Sequence, residues 1–304
     1  MLRQVDRHIL AAHVPPSWIP DTADLTFFPP SYHQAFHHHD VDEKDLLRDG
    51  TDSLHSPGGD FVRRVWASGE LRIDLEQYYS DGGWRRNKRT ICFETIKDVR
   101  LRGKADEEKI IVTIGRTHVS IKNTHAKDWE AVLQKVRDER RWETSAVQNS
   151  GLEEQRTLIF MKARADNGEL LPPTKYLQPP ATAEFQHTLT PTPTLLFRFS
   201  ALTLNAHALH LDAEYTRQVE GHRNLLVHGP LQLTLILRFV EQHLRSLPGP
   251  PQTIRLIHYR NLAPLYVNEK MTLCGSAHGR RDNVIEAWIE GPSGGMAFKA
   301  VIHT

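Results

Sequence analysis

Between Leu231 and Val240 lie the large apolar side chains Leu231, Leu233, Leu235, Ile236, Leu237, Phe239 and Val240, which leave a helix almost no polar face. Such a segment folds only if other elements cover it on nearly all sides. Its start is marked by His228-Gly229-Pro230. Proline suits the first turn of a helix, where its missing N–H would have had no intrahelical partner, and glycine lets the backbone come close to a ligand. The free N–H groups of a buried helix start form a place to hold a developing negative charge.

Upstream of this helix, Ser200, Thr203, Asn205, His207, His210 and Asp212 are interleaved with alanine and leucine. A lone histidine in an apolar segment is usually a satisfied core residue. Three of them, His207, His210 and His228, beside one buried helix start point instead to a site. After the helix, Thr253 to Tyr259, Met271 to Ala277, Val284 to Glu290 and Met296 to His303 read as strands separated by turn signals. The second half, from Phe185 to Thr304, is therefore one long buried helix followed by an antiparallel meander.

The first half has the same texture of short alternating runs without an equally apolar helix. Phe61 to Trp66, Glu70 to Leu75, Thr90 to Leu101, Lys109 to Gly115, Thr117 to Ile121 and Leu152 to Met161 read as strands, and Asp128 to Trp142 as an exposed amphipathic helix. Prolines divide residues 1–47 into a short helix and an irregular arm, and a Pro-rich linker at 166–184 separates a lobe at 48–165 from one at 185–304. The triplet His37-His38-His39 reads as a solvated face, since neighbouring histidines diverge and no second cluster sits at zinc spacing. Gly291-Pro-Ser-Gly-Gly295 has the form of a hydrolase nucleophile elbow, but a strand follows it where that elbow needs a helix, so it reads as a hairpin turn.

With 304 residues there is room for two domains of about 100 to 150 residues. The formal charge of +1 recommends no nucleic-acid partner, and no apolar run approaches the roughly 18 residues of a membrane span. Cys92 and Cys274 fit free thiols in a reducing compartment. The first residues carry Arg3 and Arg7 but also Asp6, so a cytoplasmic location is expected, with a mitochondrial one as the alternative. No metal or cofactor motif is present.

Asn205-Ala-His-Ala-Leu-His210-Leu-Asp212 resembles the D-x-N-P-L-H-x-D signature of MaoC-type (R)-specific enoyl-CoA hydratases, and Val227-His-Gly-Pro230 resembles their V-H-G-M. The likeness is closer to hydroxyacyl-thioester dehydratase type 2 proteins and the fungal relatives of mesaconyl-C4-CoA hydratase, which keep S-A-L-T-x-N-x-H-x-x-H. Phe27-Phe-Pro-Pro30, Asp49-Gly-Thr-Asp52 and Arg63-Arg-Val-Trp-Ala-Ser-Gly69 are also similar to phrases of that branch. The resemblance implies an α+β double hot-dog fold with a degenerate first lobe. It implies a hydro-lyase interconverting 2-enoyl and (3R)-3-hydroxyacyl thioesters of CoA or an acyl carrier, with no cofactor and a homodimer as one oligomeric state.

On that basis His210 is the general base and acid, the Gly229 N–H is the enolate donor, and Asn205 stands where the two-residue hydratase site has aspartate. Asparagine orients water but cannot take its proton. Ser200, Thr203, His207, His228 and Pro230 are the expected substrate-binding wall, Asp212 a cap, and Arg198, Arg223, Arg255 and Arg260 candidates for a basic entrance. Two other tasks stay open for the same cleft: dehydrating or cyclising a non-thioester metabolite, and binding acyl groups without turnover.

Overall fold

The computed structural model describes residues 27–39, 41–86, 88–104, 107–121, 130, 131, 134, 147–164, 169–171, 176–180, 182–277 and 283–304. Expectations for the first 26 residues lie outside these, as does most of the helix expected at 128–142, of which Glu130, Ala131 and Gln134 are helical.

The strands are β1 (Arg63–Ile73), β2 (Thr90–Arg102), β3 (Lys109–Ile121), β4 (Val147–Met161), β5 (Phe185–Leu189), β6 (Leu256–Asn261), β7 (Met271–Ser276), β8 (Val284–Glu290) and β9 (Met296–His303). They form one antiparallel sheet in the order β2-β3-β4-β1-β6-β9-β8-β7-β5. Its seam is β1 against β6, registered from Ser68 opposite Arg260 to Arg72 opposite Leu256, so the two halves share a single sheet.

Two pairs of expected strands merge. Phe61 to Trp66 and Glu70 to Leu75 are one strand because Ala67 is accommodated as a bulge between Trp66 and Ser68 instead of a turn. Gly69 is small for a packing reason, since a β-carbon there would meet the Tyr259 hydroxyl at 2.4 Å. Likewise Lys109 to Ile121 runs unbroken through Gly115. The turn expected at Gly291–Gly295 is the hairpin between β8 and β9, closed by the Gly291 N–H on the Gly295 carbonyl.

The helices are α1 (Leu75–Tyr78), α2 (Pro193–Thr203), α3 (Ala213–Gln218) and α4 (Gly229–Ser246). Helix α4 is the apolar segment seen in the sequence, and Leu231, Leu233, Leu235, Ile236, Leu237 and Val240 are wholly buried. Period-2 alternation aims Ile257 and Tyr259 of β6, Ile285, Ala287 and Ile289 of β8, and Phe298, Ala300 and Ile302 of β9 into the same core. Arg238 is buried with them and is paired with Glu241 one turn on.

In the first half, no described helix matches α4. A buried 3₁₀ turn, Pro30–Ala35, packs on α4 instead. This is the double hot-dog. Cys92 and Cys274 are free thiols. Among the described residues, no helix is long and apolar enough to cross a membrane, and no group of three or more His, Cys, Asp or Glu side chains is arranged to hold a metal ion.

Candidate active site

Helix α2 begins at Pro193 with the Thr192 hydroxyl accepting the Leu195 N–H, and ends at Leu204 in a left-handed conformation. That stop throws the chain into a tight loop. Asn205 Oδ1 accepts the His207 N–H at 3.1 Å, an Asx turn that leads into the 3₁₀ turn Ala208–His210. Asp212 then caps α3 by accepting the N–H groups of Glu214 and Tyr215, which is the structural role expected of it. The loop lies against the start of α4 and one wall of a cavity of about 810 Å³.

His210 is buried, and its Nδ1 donates to the Leu226 carbonyl at 2.8 Å. That bond selects the tautomer whose Nε2 carries the lone pair, and no described residue bonds to that nitrogen. Burial lowers the imidazole pKa to about 4, against a smaller rise from the bond to Leu226. Behind it, His228 stacks on His210 with ring centroids 3.6 Å apart and shares a 2.8 Å hydrogen bond between its Nε2 and the Ser200 hydroxyl. His228 is fully buried, and burial followed by the nearby His210 and His207 holds it neutral. It is packed support for the ring of His210.

His207 faces His210 edge-on at 5.5 Å and lies 3.5 Å from Asp49 Oδ2. That separation is long for a charge-assisted bond, and burial, with His210 as the next cause, keeps His207 well below its ordinary pKa. The neutral state is the one the geometry supports.

The N–H of Gly229 opens α4 with no acceptor among the described residues. The side chain of Asn261 explains the glycine: a β-carbon there would stand 2.8 Å from Asn261 Nδ2, which donates to the Trp66 carbonyl at 2.8 Å. Thr203 and Pro230 also line the cavity, although the Thr203 hydroxyl is committed to the Phe199 carbonyl. The cavity thus collects all the expected site residues except His228, which stands behind His210.

Five expectations need revision, four arginines and one histidine triplet. Arg198, Arg223, Arg255 and Arg260 do not line the cavity. Arg223 is held by Glu269 at 2.7 Å and covers the Tyr266 ring. The arginines that do line it are Arg64, Arg116 and Arg156, which reach it from strands of the first lobe. The His37-His38-His39 triplet is not a solvated face: all three are half-buried in the cavity wall, where the His37 carbonyl accepts from Arg116.

A match to the hydroxyacyl-thioester dehydratase type 2 family runs through residues 31–267. The chain belongs to this family. The hydroxyacyl-thioester dehydratase type 2, mitochondrial, of Schizosaccharomyces pombe is 28% identical over 277 residues, covering 89% of this chain and 85% of that protein. The mesaconyl-C(4)-CoA hydratase of Chloroflexus aurantiacus is 33% identical over 153 residues, half of each chain. A solved MaoC-like dehydratase from Phytophthora capsici superposes with a TM-score of 0.61 over 100% of this chain and 92% of its own, at 10% identity, and so shares the fold.

Sequence reasoning passed over Asp49, Gly50, Trp66, Gln232 and Asn261. Gly50 has φ +79° and sits so close to Ala206 that a β-carbon would meet its carbonyl oxygen at 2.1 Å, while the Asp49 carbonyl accepts the Ala208 N–H. The Asp49-Gly-Thr-Asp52 phrase of the family is therefore the brace under the His210 loop. A signal was present in that phrase, but nothing in it named partners as far along the chain as Ala206 and Ala208. Asn261 ends β6, and its bond to the Trp66 carbonyl of β1 is made only across the seam, where no local pattern points.

Proposed function

We propose that this chain catalyses the reversible hydration of 2-enoyl thioesters to (3R)-3-hydroxyacyl thioesters, carried by CoA or an acyl carrier. The observation that carries the reading is the pairing of a bare His210 Nε2 with the uncommitted Gly229 N–H in one cavity. In hydration, water attacks Cβ and gives its proton to His210 Nε2, and the electrons of the double bond move to the thioester oxygen. The Gly229 N–H at the start of α4 stabilises that enolate, a donor worth roughly 3 to 4 kcal/mol in comparable sites. His210 then returns the proton to Cα, and dehydration runs the same steps backwards.

Asn205 supports the water. Its Oδ1 is taken by the His207 N–H, which leaves the Nδ2 amide to donate to the water or hydroxyl oxygen. One histidine can move the proton through the whole cycle, so an asparagine in the aspartate position is compatible with turnover. The names of the relatives, a hydroxyacyl-thioester dehydratase and a mesaconyl-C(4)-CoA hydratase, support the reaction class. The word mitochondrial in the name of the fission-yeast relative favours the mitochondrial alternative for location.

The test follows enoyl thioester absorbance with trans-2-enoyl-CoA substrates. Wild type is expected to consume them, His210→Ala to lose at least about a thousandfold, and Asn205→Ala to keep measurable turnover. Tight binding of acyl thioesters without turnover in wild type would instead favour an acyl-binding role. No response to any thioester would overturn the reading.

A further inference from the structure

The hydration chemistry leaves one hydrogen bond unassigned. At the moment of attack the water oxygen bonds to Cβ, accepts from Asn205 Nδ2 and passes one proton to His210 Nε2. Its second O–H still needs an acceptor, because a polar hydrogen left unpaired in a buried site is costly. A carboxylate at position 205 would supply one, but Asn205 Oδ1 is committed to the His207 N–H at 3.1 Å.

His207 stands two residues further on, buried and lining the cavity. Its ring meets that of His210 edge-on, with centroids 5.5 Å apart. Two imidazoles at that spacing leave room for one water hydrogen-bonded to both, about 2.9 Å from each nitrogen.

Asp49 decides which nitrogen of His207 faces that water. Its Oδ1 accepts the Thr51 N–H at 3.0 Å and the Thr51 hydroxyl at 2.6 Å, which fixes the carboxylate, and its Oδ2 lies 3.5 Å from His207 Nε2. A lone pair on Nε2 would be repelled by that oxygen, so the proton sits on Nε2 and the lone pair on Nδ1. Asp49 does not line the cavity, so the buried Nε2 is turned into the protein, and Nδ1, to which no described residue bonds, is the nitrogen left for the cavity. Gln232 Oε1 and Asn261 Oδ1 are acceptors without a partner among the described residues too, but their side chains are anchored to the Val227 and Trp66 carbonyls beside the helix start that holds the enolate. His207 touches both groups that hold the water.

We propose that His207 Nδ1 accepts the second O–H of the attacking water, and that Asp49 is a positioning residue that sets the His207 tautomer. The acceptor that asparagine cannot spare at 205 is supplied two residues along. No bond to His207 forms or breaks, and the transferred proton still travels through His210. The inference rests on the hydratase reading.

The test follows enoyl-CoA absorbance with four variants. His207→Leu is expected to lower kcat by about tenfold to a hundredfold with KM within about threefold of wild type. Adding Asn205→Asp to His207→Leu is expected to recover most of that loss, because the new carboxylate accepts the bond, whereas damaged packing gains nothing from it. His207→Asn, whose Oδ1 can stand in for Nδ1, is expected to stay within about fivefold of wild type. In Asp49→Asn the Thr51 N–H keeps Oδ1 and leaves the amide N–H facing His207 Nε2, which favours the wrong tautomer, so kcat is expected to fall about tenfold at unchanged KM.

Full kcat in His207→Leu, or a loss that Asn205→Asp leaves untouched, overturns the inference, while turnover by wild type keeps the hydratase reading. If His207→Leu does not fold, His207→Asn and Asp49→Asn decide it, and equal kcat in wild type and Asp49→Asn overturns it. No turnover of any enoyl thioester by wild type sinks both.

Discussion

His210 is neutral at physiological pH because it is buried, and it suits the proposed role of base because the Leu226 carbonyl accepts the hydrogen bond of its Nδ1–H, which leaves Nε2 as the basic nitrogen. A base must be deprotonated to act, and burial puts its pKa near about 4. The kcat/KM for hydration is therefore expected to be flat from about pH 8 down to about pH 5 and to fall only below that, measured where circular dichroism shows the chain folded. An acid limb centred near the ordinary imidazole value would assign the proton transfer to another group. At Gly229 the argument is steric: Gly229→Ala drives a methyl into Asn261 and turns the donor N–H away. We expect kcat to drop about tenfold to a thousandfold with a smaller change in KM. A fully active alanine variant would remove this N–H from the mechanism.

Among the elements, α2 shows how a local stop builds a site. Leu204 closes the helix at φ +47°, a conformation that costs a side-chain-bearing residue about 1 kcal/mol or more, and its side chain is 64% exposed at the cavity. Neither burial nor backbone preference accounts for leucine there. Leu204→Gly is expected to leave the melting temperature equal to wild type or raise it, while weakening thioester binding, read as a higher KM. A clear loss of stability would show instead that the leucine packs as core. The helix start at Gly229-Pro230 was legible because the sequence pattern and the chain termination rules act over a few residues. The merged strands were not, since a bulge at Ala67 and a close approach at Gly69 are settled by Tyr259 and Gln155 on neighbouring strands.

For the whole molecule, neutral histidines that are buried or half-buried couple folding to pH. His37, His210 and His222 are each lowered to about 4, so between about pH 6.5 and 4 the unfolded chain binds protons that the folded chain refuses. Their stabilising contribution is complete above the ordinary imidazole value and is lost as pH falls, with a slope of up to about 1.4 kcal/mol per pH unit for each. Thermal melts from pH 7.5 to pH 4.5 should show a steady fall, and a melting temperature that is constant across that range would show these rings to be solvated. The apolar run from Leu231, the Asn205–His210 phrase and the strand alternation already specify a buried helix, a histidine-bearing loop and an antiparallel sheet, because each is written in residues a few positions apart. The seam between β1 and β6, the brace of Asp49 and Gly50 under the His210 loop, and the turning of His37 to His39 into the cavity join residues far apart in the chain. Those contacts depend on which surfaces meet once the sheet has closed around α4, and no local pattern encodes that meeting.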